Sequence, residues 1–167
     1  MQILGFSGKK TNENAVEDII LEQYNQYYRL AYSYVHNEAD AEDIVQSGAY
    51  KALRNSKMLR NSEYAKTWVY RIMLNEIFNF LRRTKALSYE YLQEQMGMEA
   101  ESVEDTYADI DLQTALDSLP EQDKAIIVMR FFEDKKLEEI ADILDENIST
   151  IKSRLYRSMK KLRIKLE

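Results

Sequence analysis

Few residues in this chain are suited to making or breaking covalent bonds. Cysteine is absent and His36 is the lone histidine. That excludes disulfides, thiolate zinc sites, a cysteine nucleophile and any site needing two histidines. With 4 glycines and 1 proline, a Gly-rich phosphate loop is also excluded. Asp40, Glu42 and Asp43 lie close in sequence, but neighbouring residues of a helix point in different directions. They read as a solvated or partner-binding face, so no catalytic residue, metal ligand or cofactor is expected. What the chain does concentrate is cations and amides beside aromatics. One stretch holds Arg60, Asn61, Tyr64, Lys66, Trp68, Arg71, Asn75, Arg82 and Arg83. Another holds Ser149, Thr150, Lys152, Ser153, Arg154, Arg157, Lys160 and Lys161. Arginine and lysine suit phosphates; Asn, Ser, Thr and Arg suit base edges. Aromatic rings suit unstacked bases, at ~1–3 kcal/mol per base.

Net charge argues the other way at first sight, because it is −6. The distribution reverses the inference. Residues 51–87 carry +7 and residues 147–167 carry +6, while residues 88–117 contain no basic residue and nine acidic ones. Screening at physiological salt acts over about 8 Å, so a phosphate responds to the local block and not to the total.

Helices must position both stretches. The low Gly and Pro content and the absence of β-alternation make an all-α chain. Residues 14–36 repeat apolar side chains at three- and four-residue steps, from Ile19 to Tyr34. Residues 40–55 form a second helix, with Asn37 or Asp40 as its cap and Ala41, Ile44, Val45, Ala49 and Leu53 as its stripe. Residues 63–85 form a third, with Ser62 as N-cap. Plotted at 100° per residue, one half of it is large and apolar, from Val69 to Phe78. The other half holds Trp68, Arg71, Asn75, Asn79, Arg82 and Arg83. Tyr64 and Trp68 have a second reading, as boundary residues with one wet edge. Residues 88–117 read as an acidic linker that spans at most ~100 Å when extended. Beyond it, Pro120–Phe132, Leu137–Leu144 and Ile148–Leu166 read as helices. The last two, joined by Asp145-Glu146-Asn147, fit a helix-turn-helix. Asn147 caps the second of them, Ile148, Ile151, Leu155, Met159 and Leu162 face inward, and Tyr156 falls at the core's margin. His36 reads as a helix-end residue without a visible partner. No apolar run approaches a membrane span, and Met1 to Asn12 lacks the apolar stretch of a signal peptide, so a cytoplasmic protein is expected.

Two separated motifs then converge. Asp40-Ala-Glu-Asp-Ile-Val-Gln46, Trp68-Val-Tyr-Arg-Ile-Met-Leu-Asn75 and Arg82-Arg83 resemble region 2 of the sigma-70 family. Leu119-Pro120, Arg130, Glu139-Ile-Ala141 and Thr150-Ile-Lys-Ser-Arg154 resemble region 4. With only these two regions and a short linker, the chain resembles the extracytoplasmic-function (ECF) sigma factors. The resemblance implies two small helical domains: a region 2 bundle at 1–87 and a region 4 helix-turn-helix at 118–167, joined by the linker at 88–117. It implies a subunit, not an enzyme, that joins core RNA polymerase at the largest-subunit clamp and the second-largest-subunit flap. Region 2 would melt the −10 element and region 4 would read the −35 element as duplex.

The same resemblance places Asp43, Ile44, Val45 and Gln46 in the clamp-binding segment. Arg60, Asn61, Tyr64, Lys66 and Trp68 would hold −10 bases, with Arg71, Asn75, Arg82 and Arg83 on the adjacent strand. Ser149, Thr150, Ser153, Arg154 and Arg157 would face the −35 groove, with Lys152, Lys160 and Lys161 on phosphates. An anti-sigma partner, often membrane-anchored, is implied as well. The chain departs from the family pattern at Asp145 and Glu146, where Gly and an apolar residue are usual. The competing reading is an operator-binding regulator that uses residues 118–167 alone.

Overall fold

Every regular element in the computed structural model is a helix; it describes residues 11–94 and 112–166, and no strand occurs among them. Helix α1 (Asn12–Val35) starts where the Thr11 side chain accepts the Asn14 N–H, and ends at His36 in the left-handed conformation, φ 53°. Helix α2 (Glu38–Arg54) is capped by Asn37, whose side chain accepts the Asp40 N–H at 2.9 Å, so the cap is Asn37 and not Asp40. Helix α3 (Ala65–Glu94) follows a 3-10 turn at Ser62–Tyr64. The cap of that turn is Asn61, which accepts the Glu63 N–H at 3.0 Å; Ser62, the expected cap, lies inside the turn.

The linker is shorter than the acidic composition suggests. Helix α3 runs through residues 88–94, a stretch free of Gly and Pro in which Leu, Glu and Gln favour helix although every residue is exposed. Helix α4 (Leu112–Asp117) then buries Ala115 and Leu116. Only residues 95–111 of the expected linker remain, and these, with 1–10, lie outside the described residues. Helix α5 (Glu121–Ile127) starts directly after Pro120 and continues as a π-helical turn, Val128–Phe132. Helices α6 (Leu137–Leu144) and α7 (Ile148–Leu166) match their expected bounds.

Tyr27, Leu30, Ile44, Val45, Val69, Tyr70, Met73 and Ile77 form the core of the first bundle. Gly48 lies close to α3: a Cβ on it would lie 2.5 Å from Met73 Sδ and would force that side chain to shift, so α2 and α3 approach closely at that point. Ile126, Met129, Ile140, Ile151 and Leu155 form the core of the second, with small Ala141 buried among them as expected. Along α7 the buried seam runs Ile151, Leu155, Ser158, Leu162. Met159, expected inside, is exposed, because the seam is rotated toward Ser158.

The two bundles pack against each other. Tyr70 donates to Glu133 Oε2 at 2.7 Å and Tyr34 donates to the Glu121 carbonyl at 2.7 Å. Gln113 donates to the Ser33 carbonyl at 3.1 Å. The Lys124 ammonium, 3% exposed, bonds Asp117 and the Ser33 carbonyl and lies 4.4 Å from the Tyr34 ring centre. Burial lowers the Lys124 pKa, against the opposing pull of Asp117. For Asp117, burial pushes upward, but the bond and charge of Lys124, with bonds from Gln113 and His36, hold the carboxyl below its usual range. His36 thus has a partner in Asp117, at 2.8 Å, invisible in sequence because it lies 81 residues away.

Two α7 substitutions separate packing from an orphaned polar group. Ile151→Ala empties a fully buried site and should destabilise by about 2–5 kcal/mol. Ser158 Oγ is buried and has no partner among the described residues. Ser158→Ala should therefore stabilise by about 1 kcal/mol. Urea unfolding midpoints of the two variants check both signs.

Glu133 supplies a pH signature. Burial raises its carboxyl above the ordinary 4.5, against the lowering effects of the Tyr70 bond and of the Lys135 and Arg29 charges. A raised folded-state pKa means the contribution to stability is complete below about 4.5 and is lost as pH climbs through the folded value. Glu133→Gln keeps an oxygen for Tyr70 and removes the titration. Stability of that variant should fall less than the parent's as pH rises above 4.5; superimposable pH profiles would refute the assignment.

Candidate nucleic-acid interface

Four residues of the first basic-aromatic stretch, Arg60, Asn61, Tyr64 and Trp68, come together on one concave surface. The turns before α3 and its first residues line an open groove of about 370 Å³ with Met58, Leu59, Arg60, Asn61, Tyr64 and Trp68. Leu59 is buried and anchors the floor, while Arg60, Asn61 and Tyr64 are exposed at the rim. Trp68 is half-buried, so it is both a boundary residue and a groove wall. Arg71 lies 5.5 Å from the Tyr64 ring centre, carrying cationic character from the groove onto α3. Lys66, Asn75, Arg82 and Arg83 are exposed on α3, and Arg82 donates to Asn79 Oδ1 at 2.6 Å.

The α2 segment divides. Asp43 and Gln46 are exposed, and Gln46 donates to Glu42 Oε1 at 3.1 Å. Tyr24 donates to the same oxygen at 2.7 Å; that bond, then burial, pushes the Tyr24 hydroxyl up to about 12. Ile44 and Val45, by contrast, are 3% and 1% exposed and belong to the core. The expectation that they touch a partner is corrected: their packing aims Asp43 and Gln46 outward. On the inner side of α2, buried Glu76 accepts from Ser47 Oγ at 3.1 Å and pairs with Lys51, locking α2 to α3.

The second stretch is carried by the helix-turn-helix. Asp145 adopts the left-handed conformation (φ 53°, ψ 47°) that closes α6, its N–H reaching the Ala141 and Asp142 carbonyls. Asn147 Oδ1 accepts the Ser149 N–H at 2.8 Å, the expected cap of α7. Ser149, Lys152, Ser153, Arg157, Lys160 and Lys161 are exposed on α7, with Thr150 and Arg154 half-buried beside them. Arg154 donates to Gln122 Oε1 at 2.7 Å. Tyr156, placed at the core's margin by sequence, is 69% exposed between Lys152 and Lys160. The signal for it was its fourfold spacing from both lysines, which puts all three on one side of the helix.

A basic-aromatic groove on one helical bundle and a helix-turn-helix on another define a two-part, all-helical nucleic-acid-binding protein. Residues 19–87 match the family model for sigma-70 region 2, and residues 109–162 that for sigma-70 region 4. The chain is 44% identical over 158 residues to the RNA polymerase sigma factor SigV of Bacillus subtilis, covering 95% of each chain. It is 30% identical to the ECF RNA polymerase sigma factor SigE of Mycolicibacterium smegmatis, over 88% of this chain and 60% of that one. Its structure resembles that of the sigma factor RpoE of Bartonella quintana in a co-crystal with the anti-sigma factor NepR. The TM-score is 0.67 at 26% identity, over 90% of this chain and 95% of the other. The chain belongs to the sigma-70 family, within its ECF group, and is an RNA polymerase sigma factor.

Proposed function

We propose that the first bundle engages the clamp of core RNA polymerase through Asp43 and Gln46 and takes the −10 strand along its groove and α3. The second bundle engages the flap and reads the −35 duplex with α7. The observation that carries this reading is the groove itself: Tyr64 and Trp68 stand beside Arg60 and Asn61, with Arg71 against the Tyr64 ring. Stacking a base on an aromatic ring gains ~1–3 kcal/mol, comparable with the few kcal/mol needed to draw one base from the duplex. Cations flanking the rings hold the adjoining phosphates. An operator-binding regulator would need α7 alone and would leave this groove unused. In this reading the protein is an initiation factor without catalytic chemistry, requires no cofactor, and works in the cytoplasm, where polymerase and promoter meet. No helix among the described residues is long and apolar enough to cross a membrane. The resemblance to RpoE, crystallised with NepR, supports an anti-sigma protein as a further partner.

Run-off transcription with core polymerase tests the whole reading: the chain should add transcripts starting at defined sites, and a core that gains none with any cognate promoter would refute it. Within that assay, Trp68→Ala should slow initiation about tenfold on duplex promoter if one stacked base is lost. It should recover on a template opened beforehand at the −10 element; equal impairment on both templates would deny Trp68 a part in melting.

The α7 roles separate by specificity. Arg154→Ala should lower −35 affinity by about 1–3 kcal/mol and relax discrimination at one position, as loss of a bidentate guanine contact does. Lys160→Ala should weaken all promoters evenly and reduce the salt slope by about one unit. Identical behaviour of the two variants across a promoter panel would show that the division into base and phosphate contacts is mistaken.

A further inference from the structure

The side of α3 that carries Arg71, Asn75 and Arg82 does not stop at Arg83. Lys85, Ala86, Tyr89 and Gln93 follow Arg82 at three-, four-, seven- and eleven-residue steps, which keeps them on that side. The first part of this stripe lies beside the second bundle: Arg71 Nε donates to the Asp142 carbonyl at 3.1 Å and to the Ile143 carbonyl at 3.0 Å, and Asn75 opens onto the same crevice. From Arg82 to Glu94 every residue is exposed, so α3 extends about 20 Å beyond the residues packed on the bundle. The extension is continuous with the turns that bury Val69 to Phe78, so the core fixes the direction in which it presents its side chains. Its charge is uneven. Arg82 and Lys85 lie on the stripe, while both acids of the stretch, Glu90 and Glu94, line up with Arg83 on the next flank. Tyr89, 63% exposed, stands on the cationic side. Its hydroxyl suits a phosphate oxygen, and small Ala86 beside it lets a backbone come close.

We propose that this extension grips the sugar-phosphate backbone of the duplex between the −10 and −35 elements, with the Lys85 ammonium and the Tyr89 hydroxyl on phosphates and the Gln93 amide at the far end. The proposal rests on the functional reading above and carries it from the melted element into DNA that stays paired. Duplex flanks a melted −10 element on both sides, but only the spacer is bounded at each end by a surface of this chain. The groove at Tyr64 and Trp68 takes the unstacked bases, and α3 leads away from it. Tyr89 stands about 30 Å along the helix from Trp68 and about 10 Å beyond Arg82. At 3.4 Å per base pair, the second distance takes the track about three base pairs past the Arg82 contact. Backbone contacts fix register and carry no sequence information. The extension therefore sets how the spacer leaves the −10 element, not which promoter is chosen. A protein partner would be drawn to the opposite side, where Leu87 and Tyr91 are 66% and 62% exposed; a cationic stripe cleared of acids favours DNA.

Holoenzyme assembled from core polymerase and the full chain provides the test. Lys85→Ala with Tyr89→Phe removes one charge and one hydroxyl from exposed positions, so the bundle should stay intact, as circular dichroism checks. Binding to a labelled promoter duplex should weaken about tenfold, and its salt slope should fall by about one unit. Affinity for core polymerase and the position of the transcript start should not change. The contact is located by replacing spacer phosphates one at a time with neutral methylphosphonates. In the parent, one or two replacements within about five base pairs of the −10 element, on its −35 side, should weaken binding. In the double variant the same replacements should have no further effect. A variant that binds promoter as tightly as the parent would overturn the proposal, as would equal sensitivity of both chains to every methylphosphonate. Loss of core binding in place of promoter binding would overturn it too, and would assign the extension to polymerase. If the parent holoenzyme gave no transcripts from defined sites, the functional reading beneath would fall and this proposal with it.

Discussion

Helix α3 has to keep two incompatible surfaces apart, and the rest of the chain depends on that separation. Val69, Tyr70, Met73, Leu74 and Ile77 are buried in the first bundle, while Arg71, Asn75, Arg82 and Arg83 stand on the other side of the same helix. A shift of one residue turns a helix by about 100°. That would bring Arg71 toward apolar surface, where an unpaired charge is very unfavourable. The close approach of Gly48 to Met73 and the buried Glu76, held by Ser47 and Lys51, fix α3 against α2. They set the rotation of the DNA-facing side as firmly as they set the core.

Charge acts locally for the same reason. The chain is acidic overall, yet its exposed cations cluster on α3 and α7. Acids between the bundles are mostly engaged: Asp117 by Lys124, His36 and Gln113, and Glu133 by Tyr70. Burial raises Glu133 and lowers Lys124, so polar groups removed from water lie between bundles whose buried apolar side chains form one continuous core. Polar bonds of this kind stay specific in geometry yet contribute only modest net stability.

Much of this was legible in the sequence because it rests on local rules. Apolar periodicity located α6 and α7 to the residue, and Asn147 declared itself as a cap. The two faces of α3 followed from helical geometry, as did the basic-aromatic cluster. What escaped depended on contacts distant in sequence or on alternatives of equal local merit. Acidic composition suggested a linker at 88–94 and 112–117, but lack of breakers carries α3 onward and packing of Ala115 and Leu116 orders α4. Ile44 and Val45 sit both on the apolar stripe of α2 and within a motif read as a partner surface, and their burial decides for the stripe. Tyr156 and Met159 are both more exposed than expected, because Ser158, a small polar residue, occupies the seam. The partners of His36 and Arg71 lie 81 and about 71 residues away, beyond any periodicity.

The turn at Asp145 ties these strands together. A left-handed residue there suits glycine, and an L-residue with a side chain bears a penalty of roughly 1–2 kcal/mol, less for the short polar Asp. Glycine would close α6 equally well, so the closure alone does not account for an acid. Asp145 faces the crevice that contains Arg71 and Asn75, at the negative end of the α6 dipole. A carboxylate in that position deepens the negative potential to which the guanidinium responds, without a direct ion pair. The departure from glycine and the engaged arginine are then two parts of one electrostatic arrangement, in which the residue that strains the turn also favours its contact with the first bundle.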